Sequence, residues 1–312
     1  MTARVRIAVT AGDPRGIGAE IIHKAFADPA VAALAQFIVV GAADAGFTVH
    51  CDAGRWHPDG GASLAGHIAG RSIEIAVAMI QNGEADALVT APLDKSALLA
   101  GGYDFPGHTE MLAALTGCRT AMMLASDKLR VVLATTHIAL RDVARAVTVE
   151  AIVDAASDAR FGLQHWFGMP APRLALCALN PHAGDHGRFG DEDDRVLAPA
   201  ARAAGIAGPF AADTIFVRAM RGEFDAVIAP YHDVGMTAIK VASFGNAVNV
   251  TLGLTFPRTS PDHGTALDIA GRGVADPSSM KQALRVAVEM FRTSRREVQS
   301  PSAATATEPS ST

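Results

Sequence analysis

Short apolar runs that stop at a polar exit constrain this chain more than any other feature. Arg4 to Thr10, Phe37 to Gly41, Asp86 to Thr90, Arg173 to Leu179, Ala226 to Ala229 and Ala247 to Thr251 are too short for typical helices and too apolar for surface loops. Between them lie segments with apolar residues at helical spacing: from about Ala19, Ile68 to Gln81, Arg141 to Val147, Val149 to Phe167, near Asp193 to Ala204, and Met280 to Arg296. Arg119 to Leu124 and Leu129 to Ala134 are joined through Ser126-Asp127-Lys128 and read as a hairpin. Aromatic residues are only 5% of the chain, so the core must come from Ala, Val, Leu and Ile, which suits helices packed on a sheet. The expected fold is α/β with a mixed, mostly parallel sheet and no internal repeat. Ala45 to Ser63 reads as loop, and nothing apolar positions His50, His57 or His67 in or beside it.

Charge and cysteine content narrow the partners. A net charge of −5 without a basic block argues against nucleic acid as the main partner, but a small phosphorylated ligand needs only a few local cations. Cys51, Cys118 and Cys177 are too widely spaced for a disulfide framework or a zinc ribbon, as expected in a reducing cytoplasm. The N-terminal stretch lacks a signal-peptide core, and no apolar run reaches the ~18–20 residues of a membrane span. The reading is a cytoplasmic chain with no membrane partner, residues 1–298 forming one catalytic unit and 299–312 a disordered tail of Ser, Thr, Ala and Pro.

Three of the apolar runs end near a histidine. Leu129 to Ala134 leads to His137, Arg173 to Leu179 to His182, and Ala226 to Ala229 to His232. Strand exits converge at one edge of a sheet, so three imidazoles could share a borderline divalent metal with open positions. Asp213 and Asp233 are candidate extra ligands, or acceptors that fix the histidine tautomers. The alternative is several independent loop histidines. His108, Thr109, Lys240, Asn249 and Arg258 are the polar and cationic groups an anionic substrate requires. Asp94 and Lys95 put a carboxylate and an amine at another strand end. The turn Gly12-Asp13-Pro14-Arg15-Gly16-Ile17-Gly18 has neither the dinucleotide-binding spacing nor a phosphate-loop lysine; it is either a tight turn or a ligand-facing loop.

Taken together and in order, these motifs resemble the 4-hydroxythreonine-4-phosphate dehydrogenase family of pyridoxal phosphate biosynthesis. They are Gly107-His108-Thr109-Glu110, Thr135-Thr136-His137, Asn180-Pro181-His182-Ala183-Gly184, Tyr231-His232-Asp233-Val234-Gly235, and the run from Arg258 through Thr265. The resemblance extends from the glycine-rich turn to about Phe291. It implies a two-lobed fold like the isocitrate and isopropylmalate dehydrogenases, and a homodimer with a shared active site. It makes His137, His182 and His232 ligands of Zn, Mg or Co, the third coming from the partner subunit. It makes His108, Thr109, Lys240, Asn249 and Arg258 substrate contacts, Lys240 being a proton donor or a carboxylate clamp. The segment from His263 to Pro277 resembles an adenosine-binding segment, with His263, Gly264, Thr265 and Asp276 as NAD or NADP contacts; it is read as leading into a helix. Leu267 and Asp276 stand where Pro and Asn are usual, and the region after Gly41 is short.

The implied reaction is oxidation of 4-phosphooxy-L-threonine at C3 followed by decarboxylation to 3-amino-2-oxopropyl phosphate. Two other readings stay open. One is a relative acting on phospho-threonate, phospho-erythronate or a cis-dihydrodiol carboxylate. The other is a catalytically silent binding protein, which the retention of all three histidines, Lys240 and Arg258 speaks against.

Overall fold

The computed structural model describes residues 4–43, 48–243 and 246–299 of the chain. The tail beyond Gln299 lies outside the described residues. Eleven strands join in one sheet: β1 (Arg6–Thr10), β2 (Gln36–Gly41), β3 (Cys51–Asp52), β4 (Ala87–Thr90), β5 (Ala121–Ala125), β6 (Arg130–Leu133), β7 (Leu174–Cys177), β8 (Ala207–Phe210), β9 (Ala226–Ala229), β10 (Val248–Leu252) and β11 (Arg258–Pro261). Their spatial order is β3-β2-β1-β4-β11-β10-β5-β6-β9-β7-β8. The antiparallel pairs are β11–β10, β10–β5 and β5–β6, in the middle; both flanks are parallel. The chain is therefore α/β with a mixed, mostly parallel sheet.

Both faces are covered, and the pleat sorts the side chains between them. On β1, Ile7 and Val9 join one core, with Ile21, Ile152 and Leu284 from the helices Gly18–Phe26, Val149–His165 and Ser278–Gln299. Ala8, between them, faces the other side, where Leu88 meets Met111 and Leu112 of the helix His108–Thr116. On β6, Val132 belongs to the first face, while Val131 and Leu133 turn to Ile239 of the helix His232–Ser243. Each fully buried Val, Leu or Ile contributes on the order of 1.5–3 kcal/mol, so a one-residue register slip would expose much of one face.

Several local expectations are corrected. The helix that periodicity places at Ile68 begins at Gly61, and Cys51–Asp52 is a short edge strand within the expected loop. Glycines break up the sequence pattern, but one of them is a packing site. A Cβ on Gly66 would lie 1.7 Å from the carbonyl oxygen of Ala97, so only glycine lets the Lys95–Ala100 helix approach so closely. β8 and β11 are strands although each contains proline. No helix follows Thr265; turns continue until Ser278 opens the last helix. No helix among the described residues is long and apolar enough to cross a membrane.

Candidate active site

β6, β9 and β7 are adjacent and parallel, so their exits share one edge. The amide of Ala134 donates to Ala229 O, and Thr135 Oγ1 donates to Pro230 O at 2.8 Å, tying the first two exits together. Consequently the His137 and His232 rings face each other, with centroids 5.5 Å apart and planes inclined by 45°. His232 Nδ1 lies 2.7 Å from Asp233 Oδ1. That carboxylate favours the proton on Nδ1 and leaves Nε2 with its lone pair. The pKa of His137 is lowered, first by burial and then by the charges of Lys95 and His232, against an opposing push from Glu110. A neutral imidazole is the form that ligates metal.

His182 stands apart. It occupies the turn Pro181–Gly184 after β7; His182 and Ala183 within it, and Asp185 and His186 just after it, have φ of 53°, 54°, 44° and 58°. Left-handed backbone costs roughly 1–2 kcal/mol at each such residue, so the turn must be held from outside. Buried Asp193 holds it, accepting from the amides of Leu179 at 2.8 Å and Asn180 at 2.9 Å, while Asn180 Nδ2 donates to Glu192 at 2.8 Å. The exposed His182 ring lies 6.3 Å from that of Phe189. Asp213 opens the helix Ala212–Met220, which packs on this turn. Among the described residues of one chain, no three or more His, Cys, Asp or Glu side chains gather closely enough to hold a metal. Within one chain the close imidazole pair is His137 with His232, and His182 lies apart from it.

Beside His137 opens a cavity of about 220 Å³, walled by the β4 exit, the start of the His108–Thr116 helix, β10 and β11. Of the expected substrate contacts, His108, Thr109, Asn249 and Arg258 line it. Arg258 is 1% exposed. It donates from Nη1 to Thr251 Oγ1 at 2.8 Å and from Nη2 to Thr90 Oγ1 at 2.6 Å, yet its Nε has no partner and no carboxylate pairs with it among the described residues. Burial pushes its pKa down to about 9, so it is still charged at neutral pH. Burying a lone cation costs several kcal/mol, and two hydroxyl acceptors return ~1.5–3 kcal/mol each. The remainder calls for an anion. His108 Nε2 and Asn249 Oδ1 are likewise sealed from water without partners. The His108 pKa is lowered, mainly by burial and then by Arg258 and Lys95.

Lys240 is not part of this wall. It lies along the helix that His232 opens, with Nζ 3.5 Å from Asp262 Oδ2. Burial raises the Asp262 pKa against the pull of Lys240, His263 and His232. His263 and Gly264 line the cavity, and Thr265 O accepts from the amide of Ile17 at 3.0 Å. Asp276 Oδ1 accepts from Ser278 N at 2.9 Å and Ser278 Oγ at 2.7 Å, which explains its carboxylate as a support for the last helix. Thr90, Lys95, Glu110 and Ser260 also line the cavity and were not singled out as site residues. The strand-exit rule that located the histidines already marked Thr90 and Lys95, at the end of β4.

The model of the pyridoxal phosphate biosynthetic protein PdxA matches residues 25–287. The chain belongs to the PdxA family. The 4-hydroxythreonine-4-phosphate dehydrogenase of Geobacter metallireducens is 42% identical to it over 92% of this chain and 96% of its own length. The D-threonate 4-phosphate dehydrogenase of Cupriavidus necator is 41% identical over 91% and 96%. The crystal structure of 4-hydroxythreonine-4-phosphate dehydrogenase from Klebsiella pneumoniae superposes with a TM-score of 0.81 at 37% identity, covering 93% of this chain and 98% of that one. PdxA membership makes the chain an oxidoreductase.

Proposed function

We propose that this chain oxidises 4-phosphooxy-L-threonine at C3 with NAD or NADP as hydride acceptor and then decarboxylates the product to 3-amino-2-oxopropyl phosphate. The observation that carries this reading is Arg258, a buried guanidinium without a carboxylate partner, set beside the unsatisfied His108 Nε2 and Asn249 Oδ1. Arg258 grips an anionic group of the substrate, and His108, Thr109 and Asn249 orient the rest by hydrogen bonds. NAD or NADP, when bound, would supply the two-electron acceptor for the C3–H hydride; the hydroxyl proton leaves to solvent, and the β-keto acid so formed loses CO₂. Lys240, held by Asp262, keeps a proton at Nζ for the carbon left behind.

The donor set fits a divalent metal: two close imidazoles, one lowered in pKa and the other with its tautomer fixed by Asp233. His137 and His232 of one chain would hold it together with His182 of a second copy in a homodimer. When bound it supplies Lewis-acid polarisation of the substrate hydroxyl. Zn, Mg and Co all suit the reading. His263 and Gly264, which line the cavity, would face the dinucleotide together with Thr265.

A second reading keeps the chemistry and changes the substrate to D-threonate 4-phosphate, as the name of the Cupriavidus relative indicates for that protein. Reduced-dinucleotide formation, followed with 4-phosphooxy-L-threonine, D-threonate 4-phosphate, phospho-erythronate and a cis-dihydrodiol carboxylate, separates the readings. Turnover of the dihydrodiol alone would refute a phosphorylated substrate.

A further inference from the structure

We propose that Lys95 is a further substrate-anion contact in the cavity, held in position by a bridge from Asp13 through Arg15 to Asp94. Lys95 lines the same wall as His108 and Arg258. Its aliphatic chain lies over the residue before His108, since a Cβ placed on Gly107 would come within 3.5 Å of Lys95 Cε. No carboxylate pairs with Lys95 among the described residues, and its charge is felt at both His108 and His137. The cavity lining thus carries Lys95 and Arg258 against one carboxylate, Glu110. With Lys95 counted, cations outnumber carboxylates in this lining, and two donors can grip separate oxygens of a phosphate ester, which carries about −1.5 to −2 at neutral pH.

What fixes Lys95 is the glycine-rich turn near the N-terminus. Gly12 adopts φ +72°, and a Cβ there would lie 2.2 Å from Pro92 O, so the turn sits directly on the β4 exit. Asp13 donates its amide to Pro92 O at 3.0 Å, and its side chain is 0% exposed. Both of its carboxylate oxygens are taken by Arg15, at 3.0 and 2.7 Å. The same guanidinium lies 3.7 Å from Asp94, whose Oδ1 accepts from Ala97 N at 2.7 Å at the start of the helix that Lys95 opens. The turn therefore acts as a brace, and Arg15 is a positioning residue because it acts through Asp94.

This inference rests on the phosphorylated-substrate reading, and the test separates the two. Wild-type protein is first assayed with 4-phosphooxy-L-threonine and D-threonate 4-phosphate. Turnover of neither sinks the functional reading itself. With turnover in hand, Lys95→Met is expected to raise KM for the phosphorylated substrate about tenfold or more, with kcat within about threefold and KM for the dinucleotide unchanged. Competitive inhibition by inorganic phosphate should weaken in parallel, and Lys95→Arg should restore part of both. Arg15→Ala should raise the same KM severalfold in the wild-type background and add nothing when Lys95 is already Met. An unchanged substrate KM in folded Lys95→Met, or a change confined to the dinucleotide, overturns the Lys95 assignment. Additive effects of the two substitutions overturn the positioning role of Arg15.

Discussion

Asp233 Oδ1 sits 2.7 Å from Nδ1 of His232, its neighbour in the chain. The pair is partly open to solvent, so the contact adds little to stability, but it dictates which nitrogen of His232 carries the proton. Asp233→Ala is expected to weaken divalent-metal affinity by about 10–100-fold while leaving the melting temperature near that of the parent. Competition with a chromogenic chelator reads the affinity directly. Unaltered affinity would mean that His232 does not ligate through Nε2.

Arg258 makes opposite demands on stability and on binding. Replacing it with Met removes a buried unpaired charge, a change that is often neutral or stabilising by about 1–4 kcal/mol for buried ionic groups in general. Loss of its donors to Thr90 and Thr251 offsets part of that gain. Ligand-free Arg258→Met should therefore melt no lower than the parent. Its substrate should bind about 2–5 kcal/mol more weakly, a factor of roughly 30 or more. Thermal melts with and without substrate check both halves. A variant that is destabilised yet still binds would make Arg258 a structural residue.

The parts of the fold and site visible in the sequence are those where one residue type answers to one local rule. Burial on both faces of β1, β6 and β9 leaves continuous apolar runs, and the polar exits of β6 and β9 mark His137 and His232. The rest depends on residues distant along the chain. β11 is hidden because Arg258 and two hydroxyl residues form a strand with buried positions throughout, a pattern that looks like a loop without its neighbours β4 and β10. The Gly61–Gln81 helix is obscured by Gly66, whose value lies in the carbonyl of Ala97 packed against it. His182 shares the strand-exit pattern with the other two, but the left-handed turn held by Asp193 leaves it outside their pair, and spacing carries no signal for that.

His108 makes stability depend on pH. Burial, with Arg258 and Lys95 nearby, holds its pKa in the folded chain well below the ordinary value of 6.5. Below that value the unfolded chain takes up a proton that the folded chain refuses. The contribution is therefore complete above about pH 6.5 and is lost as the pH falls towards the lowered value, by at most about 1.4 kcal/mol per pH unit for one proton. Urea unfolding at pH 7, 6 and 5 should show a steeper loss for the parent than for His108→Gln. Parallel profiles would place His108 in contact with water.

Pairing of His137 with His232 inside one chain also fixes which variants can rescue one another. If His182 comes from a second copy, a dimer of one His182→Ala chain and one His232→Ala chain contains a complete site: His137 and His232 of the first chain with His182 of the partner. Random subunit exchange at equal amounts should then restore about a quarter of the parent sites. Mixing His137→Ala with His232→Ala should restore none, because every site takes both of those residues from one chain and each chain lacks one of them. Activity and bound metal after confirmed exchange check the prediction. Recovery in both mixtures would place His232 in the partner's site and reverse the assignment.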